Sequence, residues 1–259
     1  MTTRISGTFK RLQKEGKKAF IPYIMSGDPS LKETKDIVLL FEECGADIVE
    51  LGVPFSDPLA DGPTIQRASE RALKNKVTLR KVIAHVKELR SLTQIPLVLM
   101  TYFNPVFKYG IESFIKDAGN AGVDGVIIPD LPPDEAEDFI LLARKAALDT
   151  IFLLAPTSTE DRIKKVAKAS TGFIYYVSIT GITGASLLFD GSMEGLISNI
   201  KRYTDKPVAV GFGVSTPENA SAVAKISDGV IVGSAIVRKA HEHPDELKSY
   251  LLSLRKAIL

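Results

Sequence analysis

Three carboxylates crowd one short stretch of this chain. Residues 49–64 read VELGVPFSDPLADGPT, with Glu50 inside an apolar run and Asp57 and Asp61 in a loop that also carries Pro54, Pro58 and Pro63. Side chains alternate faces along a strand, so Ile48, Glu50 and Gly52 share one face and Val49, Leu51 and Val53 the other. The second set suits a helix-facing side, which turns Glu50 toward an interior. A carboxyl there is partly desolvated, its charged form is disfavoured, and its pKa rises toward the range useful for proton transfer. Gly52, above it, would leave space for a ligand. The alternative is an ion pair with a buried cation, but no Lys or Arg lies in any of the strand runs given below. Proline restricts φ, so the loop is stiff enough to hold Asp61 in place as a second acid. On spacing alone Asp61 is equally a turn or capping residue before a helix at 64. Asp57, in Ser-Asp-Pro, reads as structural or surface.

A second pattern is glycine-rich. GFGVS (211–215) and GSA (233–235) each follow an apolar run, and TGITGAS (180–186) follows another. In an eight-fold β/α barrel, the loops after strands seven and eight recurrently form a phosphate site. Gly211, Gly213 and Gly233 would let backbone N–H groups approach phosphate oxygens, and Ser234 would add a hydroxyl. A helix starting after 233 would contribute its N-terminal dipole. Gly181 and Gly184 lie on the same side.

Other chemistries lack their residues. No strand run carries the Lys an imine-forming aldolase needs. His85, His241 and His243 all fall in helical or helix-flanking segments, which leaves no metal cluster at a strand end. No dinucleotide fingerprint follows the first run. Carboxylate acid–base chemistry on a phosphate-bearing ligand remains, with no cofactor and no metal.

The elements that must position these groups alternate along all 259 residues. Apolar runs at 20–26, 47–53, 96–102, 125–130, 150–156, 173–179, 207–212 and 229–235 read as buried parallel strands. Amphipathic patterns near 31–44, 64–75, 79–91, 110–121, 133–147, 159–169, 193–203, 216–225 and from the end of the 229–235 run to the C-terminus read as helices. Pro132-Pro133-Asp134-Glu135, Ser158-Thr159-Glu160-Asp161 and Ser215-Thr216-Pro217-Glu218 supply helix-start chemistry. Ile5, Phe9 and Leu12 recur at helical spacing and predict a short extra N-terminal helix packed on the domain. Eight consecutive units without a linker favour one (β/α)8 TIM barrel over 1–259; a doubly wound open sheet is the alternative. With 33 Lys and Arg against 31 acids, net charge gives no reason to expect nucleic acid or a membrane surface. The lone Cys44 reads as a structural thiol. No signal peptide or membrane span is evident, so a cytoplasmic protein is expected.

The stretch VELGVPFSDPLADGPTIQ (49–66) resembles the signature of the tryptophan synthase alpha chain family. SGDPS (26–30), YFNPVFKYG (102–110), VIIPDLP (126–132), YYVSITGITGA (175–185), GFGVSTPE (211–218) and VGSAIV (232–237) extend the likeness over nearly the whole chain. The resemblance implies a lyase that cleaves indole-3-glycerol phosphate to indole and glyceraldehyde 3-phosphate. It implies Glu50 as the principal acid–base group, Asp61 as the second acid at the indole N–H, and Tyr175 near the reacting glycerol portion. Tyr23, Tyr102 and Pro129 match an indole pocket. Gly184, Gly211, Gly213, Gly233 and Ser234 match a phosphate set, and Thr183 matches a closing lid over Asp61. The implied partner is a tryptophan synthase beta chain in an αββα complex, which would hold the pyridoxal phosphate. Asp57, Pro58 and loops around Asn104 and Leu131 would face it, so Asp57 becomes a partner contact on this reading. Some members carry an Arg before the loop-six glycines, where this chain has Ser178-Ile179-Thr180.

Overall fold

A computed structural model describes residues 2–177, 192–211 and 213–259. Parallel strands with helices between them form one sheet in the order β5-β4-β3-β2-β1-β9-β8-β7-β6. The strands are β1 (Ala19–Met25), β2 (Val49–Gly52), β3 (Leu97–Met100), β4 (Gly125–Ile127), β5 (Asp149–Ile151), β6 (Leu153–Leu154), β7 (Ile174–Val177), β8 (Val208–Gly211) and β9 (Gly229–Val232). The fifth predicted run is two short strands rather than one. Phe152 interrupts it, its N–H turning to the Ser170 hydroxyl at 3.4 Å. Because β5 pairs with β4 and β6 with β7, this bent run joins the two ends of the order and closes the barrel.

Two apolar layers follow from strand alternation. Ile21, Ile48, Val98, Ile127, Ile151, Ala209 and Ile231 fill the barrel interior together with Ile5, Phe9 and Leu12 of α1 (Arg4–Lys14). The predicted extra helix therefore plugs the barrel, with Phe9 against Phe173 at 5.7 Å between ring centres. Val49, Leu51 and Val53 belong to the outer layer, between sheet and helices. The side chains of β2 thus face as their alternation predicts.

The helices are α2 (Leu31–Glu43), α3 (Pro63–Lys74), α4 (Leu79–Leu89), α5 (Phe103–Tyr109), α6 (Ile111–Ala121), α7 (Glu137–Lys145), α8 (Glu160–Ala169), α9 (Ser192–Lys201), α10 (Pro217–Ile226), α11 (Ser234–Glu242) and α12 (Leu247–Ile258). Their starts bear out the capping signals: Thr159 accepts from the Arg162 N–H at 3.3 Å and Thr216 from the Asn219 N–H at 3.2 Å. Two differences from the sequence reading stand out. Helix α5 occupies 103–109, which puts Asn104 in a helix rather than a loop; Pro105 fits its first turn, where the missing N–H would have no intrahelical partner anyway. The helix expected at 133–147 starts as a single 3-10 turn, Pro133–Glu135, before α7. Among the described residues no helix is long and apolar enough to cross a membrane.

The N-terminal ends of the strands share a device. Asp47, Asp124 and Asp228 each precede a strand, and each accepts from a backbone N–H at the start of a neighbouring strand: Phe20 at 3.0 Å, Leu97 at 2.8 Å and Val208 at 2.8 Å. The same three aspartates return their own N–H to a carbonyl of Phe20, Leu97 or Val208. Cations complete them. Arg11 and Arg255 hold Asp47, Arg4 and Arg90 hold Asp124, and Lys201 holds Asp228. These charged clasps fix strand register at the closed end of the barrel, opposite the C-terminal ends of the strands.

Candidate active site

At the C-terminal ends of the strands, a cavity of about 330 Å³ receives Glu50 and Asp61 together. Glu50 lies on β2, in register with Tyr23 of β1 and Val98 of β3, and is 1% exposed. Neither oxygen of its carboxyl has a hydrogen-bond partner among the described residues. Burial first, and the nearby charge of Asp61 second, push its pKa up to about 8. At neutral pH Glu50 is therefore mostly protonated.

Asp61 comes from the loop between β2 and α3. The capping alternative falls, because α3 begins at Pro63 after Gly62 and no side chain caps it, while Asp61 does close a turn from Pro58. The backbone ties the loop instead: the Asp61 N–H donates to the Pro58 carbonyl at 3.1 Å, and Gln66 Nε2 donates to the Asp61 carbonyl at 2.8 Å. The side chain lines the cavity. Burial raises its pKa to about 6, while the Tyr102 hydroxyl at its side favours the charged form. Asp61 is mostly ionised at pH 7, so one cavity holds a neutral acid and a carboxylate.

Two tyrosines reach the same space through glycine notches. Tyr23 on β1 and Tyr175 on β7 both line the cavity and are buried. A Cβ on Gly52 would stand 2.0 Å from the Tyr23 hydroxyl, and one on Gly211 would stand 2.3 Å from the Tyr175 hydroxyl. The space over Gly52 is thus taken by Tyr23, not left for a ligand. Gly211 likewise serves Tyr175 as well as the cavity wall. Burial, with the charges of Glu50 and Asp61, raises both phenol pKa values far above the ordinary range, so both hydroxyls stay protonated.

Four residues of the glycine end come together. Gly211, Gly213, Gly233 and Ser234 all line the cavity, and Gly213 needs its positive φ of 71°. Gly233 precedes α11, whose first turn no side chain caps. Ser215 joins them, its carbonyl held by the Tyr250 hydroxyl at 2.9 Å. Thr183, Gly184 and Ile179 lie outside the described residues.

Other predicted positions fall elsewhere. Tyr102 and Pro129 are not among the residues lining the cavity. Tyr102 supports the acid-bearing loop: its hydroxyl accepts from the Ala60 N–H at 3.0 Å, and its ring packs on Phe55 with centres 5.3 Å apart. Pro129 is half-buried after β4. Asp57 and Asn104 are exposed and Pro58 is half-buried, whereas the Leu131 side chain is buried in the outer layer. Sequence reasoning missed Met100 and Ile231, which supply apolar wall from β3 and β9, and Ile65 of α3. Strand alternation already puts the first two on the interior face. It also missed Arg238, four residues after Ser234 on α11.

A larger cavity of about 830 Å³ lies at the other end of the barrel, beside Phe9, Leu148 and several lysines. It contains neither Glu50 nor Asp61, so its size does not make it the catalytic centre.

Comparison with known proteins agrees with this geometry. The family model described as tryptophan synthase alpha chain matches residues 9–257. The chain is 52% identical over 250 residues to a tryptophan synthase alpha chain of Geotalea uraniireducens, covering 96% of this chain and 94% of that one. It is 50% identical to that of Geobacter sulfurreducens, covering 99% of both. Its fold is similar to a crystal structure of tryptophan synthase subunit alpha from Legionella pneumophila, with TM-score 0.91, 36% identity, and 100% of this chain and 99% of that one covered. It is also similar to a chain of Mycobacterium tuberculosis tryptophan synthase, with TM-score 0.93, 38% identity and the same coverage. A barrel with two acids at its mouth, matched at this identity over almost its full length, belongs to the tryptophan synthase alpha chain family.

Proposed function

We propose that this chain cleaves indole-3-glycerol phosphate to indole and glyceraldehyde 3-phosphate, with Glu50 and Asp61 as its catalytic acids. The observation that carries this reading is one cavity holding two carboxyl groups of opposite protonation state, Glu50 near 8 and Asp61 near 6. Separated pKa values are how one site runs acid and base chemistry at one pH.

Neutral Glu50 delivers its proton to C3 of the indole ring, which converts the ring into a cationic leaving group. The carboxylate so formed takes the proton from the hydroxyl on the adjacent glycerol carbon. As that oxygen becomes a carbonyl, the C–C bond breaks and its electron pair returns to the ring, releasing indole. The net proton movement is from hydroxyl oxygen to C3, and Glu50 ends as it began. Asp61 accepts the ring N–H and stabilises the positive charge while it lasts, a role that requires its ionised form. Tyr175 stands at the reacting glycerol portion. Tyr23, Met100 and Ile231 offer a flat ring an apolar wall. The phosphate occupies the end formed by Gly211, Gly213, Gly233 and Ser234, with the α11 N-terminus facing its charge.

The reaction needs no cofactor on this chain. The partner is a tryptophan synthase beta chain, in an αββα assembly, and pyridoxal phosphate belongs to that subunit. The surface supports such a partner: Leu59 is 93% exposed and Phe107 66% exposed, beside Asp57, Pro58 and Asn104 on the loop after β2 and on α5. A biosynthetic role in the cytoplasm fits this reading. Mixing the chain with indole-3-glycerol phosphate, with and without a beta chain, and following indole release is the test. Release is expected in both cases and faster with the partner; no release in either defeats the assignment.

A further inference from the structure

We infer that Arg238 is the positioning cation of the phosphate end, setting both the affinity for the phosphate group and its salt dependence. This rests on the proposed substrate and adds a residue to its site. Arg238 is the only Lys or Arg among the described residues lining the cavity. It stands four residues after Ser234 on α11, hence on the same helical face. Helix side chains lean toward the N-terminus, so a guanidinium starting one turn in reaches back over the first turn, where an anion would rest.

Charge arithmetic gives it work. A phosphate monoester carries nearly two negative charges at pH 7, and a helix N-terminus offers only about half a positive charge. The cavity already contains a carboxylate, Asp61, which repels a second anion. Glycine N–H groups and the Ser234 hydroxyl donate hydrogen bonds but add no formal charge. Arg238 supplies the missing cation, and no carboxylate among the described residues lies within ion-pairing distance of it. Its neighbour Lys239 is engaged differently, with Glu246 at 2.7 Å, and does not line the cavity. A guanidinium can also grip phosphate through two parallel N–H bonds, which a Lys cannot reproduce.

The experiment compares wild type, Arg238→Gln, Arg238→Lys and Lys239→Gln. Binding of glycerol 3-phosphate is measured by calorimetry at low and high salt, and indole release by steady-state kinetics. For Arg238→Gln the Kd for glycerol 3-phosphate and the KM should rise about tenfold, the scale of one charged hydrogen bond, with kcat within about threefold. Arg238→Lys should recover part of the affinity, and Lys239→Gln should match wild type. The wild-type salt dependence should flatten in Arg238→Gln. A purely structural role would lower the melting temperature or kcat and leave the salt slope unchanged. Equal affinity and equal salt slope in wild type and Arg238→Gln, while wild type still releases indole, overturns the inference alone. Wild type that releases no indole overturns the proposed function instead.

Discussion

Glu50 and Asp61 sit in one cavity yet titrate apart, and their environments explain why. Glu50 is fully enclosed on the barrel wall and has no hydrogen-bond partner among the described residues, whereas Asp61 is half-buried beside the Tyr102 hydroxyl. The proposed mechanism requires Asp61 ionised and Glu50 protonated, so kcat/KM should be bell-shaped, with limbs near 6 and 8 belonging to the coupled pair. Because the Asp61 charge raises the Glu50 pKa, Asp61→Asn should move the Glu50 titration downward, while burial keeps it above 4.5. Carboxyl infrared or NMR titration reads this directly; an unmoved Glu50 would mean that the two acids do not sense each other. The same shift has a stability consequence. A carboxyl whose pKa is raised on folding binds protons more tightly in the fold, so stability is lost as pH rises from about 4.5 through about 8. Glu50→Gln removes that loss. It should leave stability nearly unchanged at pH 4 and raise it at pH 9 by on the order of a few kcal/mol, as measured by denaturant unfolding.

At the scale of elements, alternation and capping made most of the barrel legible. The inward set Ile48, Glu50 and Gly52 and the outward set Val49, Leu51 and Val53 separate as period two demands. Three further features were not readable from local pattern. Helix α5 is seven residues with a proline in its first turn, too short for a helical period to show. The bend at Phe152 depends on a side chain eighteen residues away, Ser170. The role of Gly52 depends on a tyrosine from the neighbouring strand, so its spacing suggested ligand space where Tyr23 stands. The aspartate clasps are likewise long-range: Asp124 binds Arg4, Arg90 and the Leu97 N–H. Asp124 is 5% exposed, and Asp124→Ala would strand buried donors. It should cost about 3–5 kcal/mol in denaturant unfolding, with KM for the substrate unchanged. A loss below about 1 kcal/mol would mean that the clasp is not a register lock.

Across the whole molecule, the two ends of the barrel divide the work. The N-terminal end is sealed by α1 and by charged clasps whose polar groups are paired. At the C-terminal end the Glu50 carboxyl has no hydrogen-bond partner among the described residues. The rim around that mouth exposes Leu59 and Phe107. Leu59→Asp should weaken association with a beta chain about tenfold or more in analytical ultracentrifugation, while basal indole release without partner stays within about twofold. Unchanged association would move the interface away from the loop after β2. The proposed chemistry requires Glu50 to perform the proton transfers rather than to shape the pocket. Single-turnover cleavage of indole-3-glycerol phosphate by wild type and Glu50→Gln, with substrate Kd measured alongside, separates these roles. The expected result is a chemical step slowed by about 10²–10⁴-fold in Glu50→Gln with Kd within about threefold. A Glu50→Gln step within tenfold of wild type would contradict it.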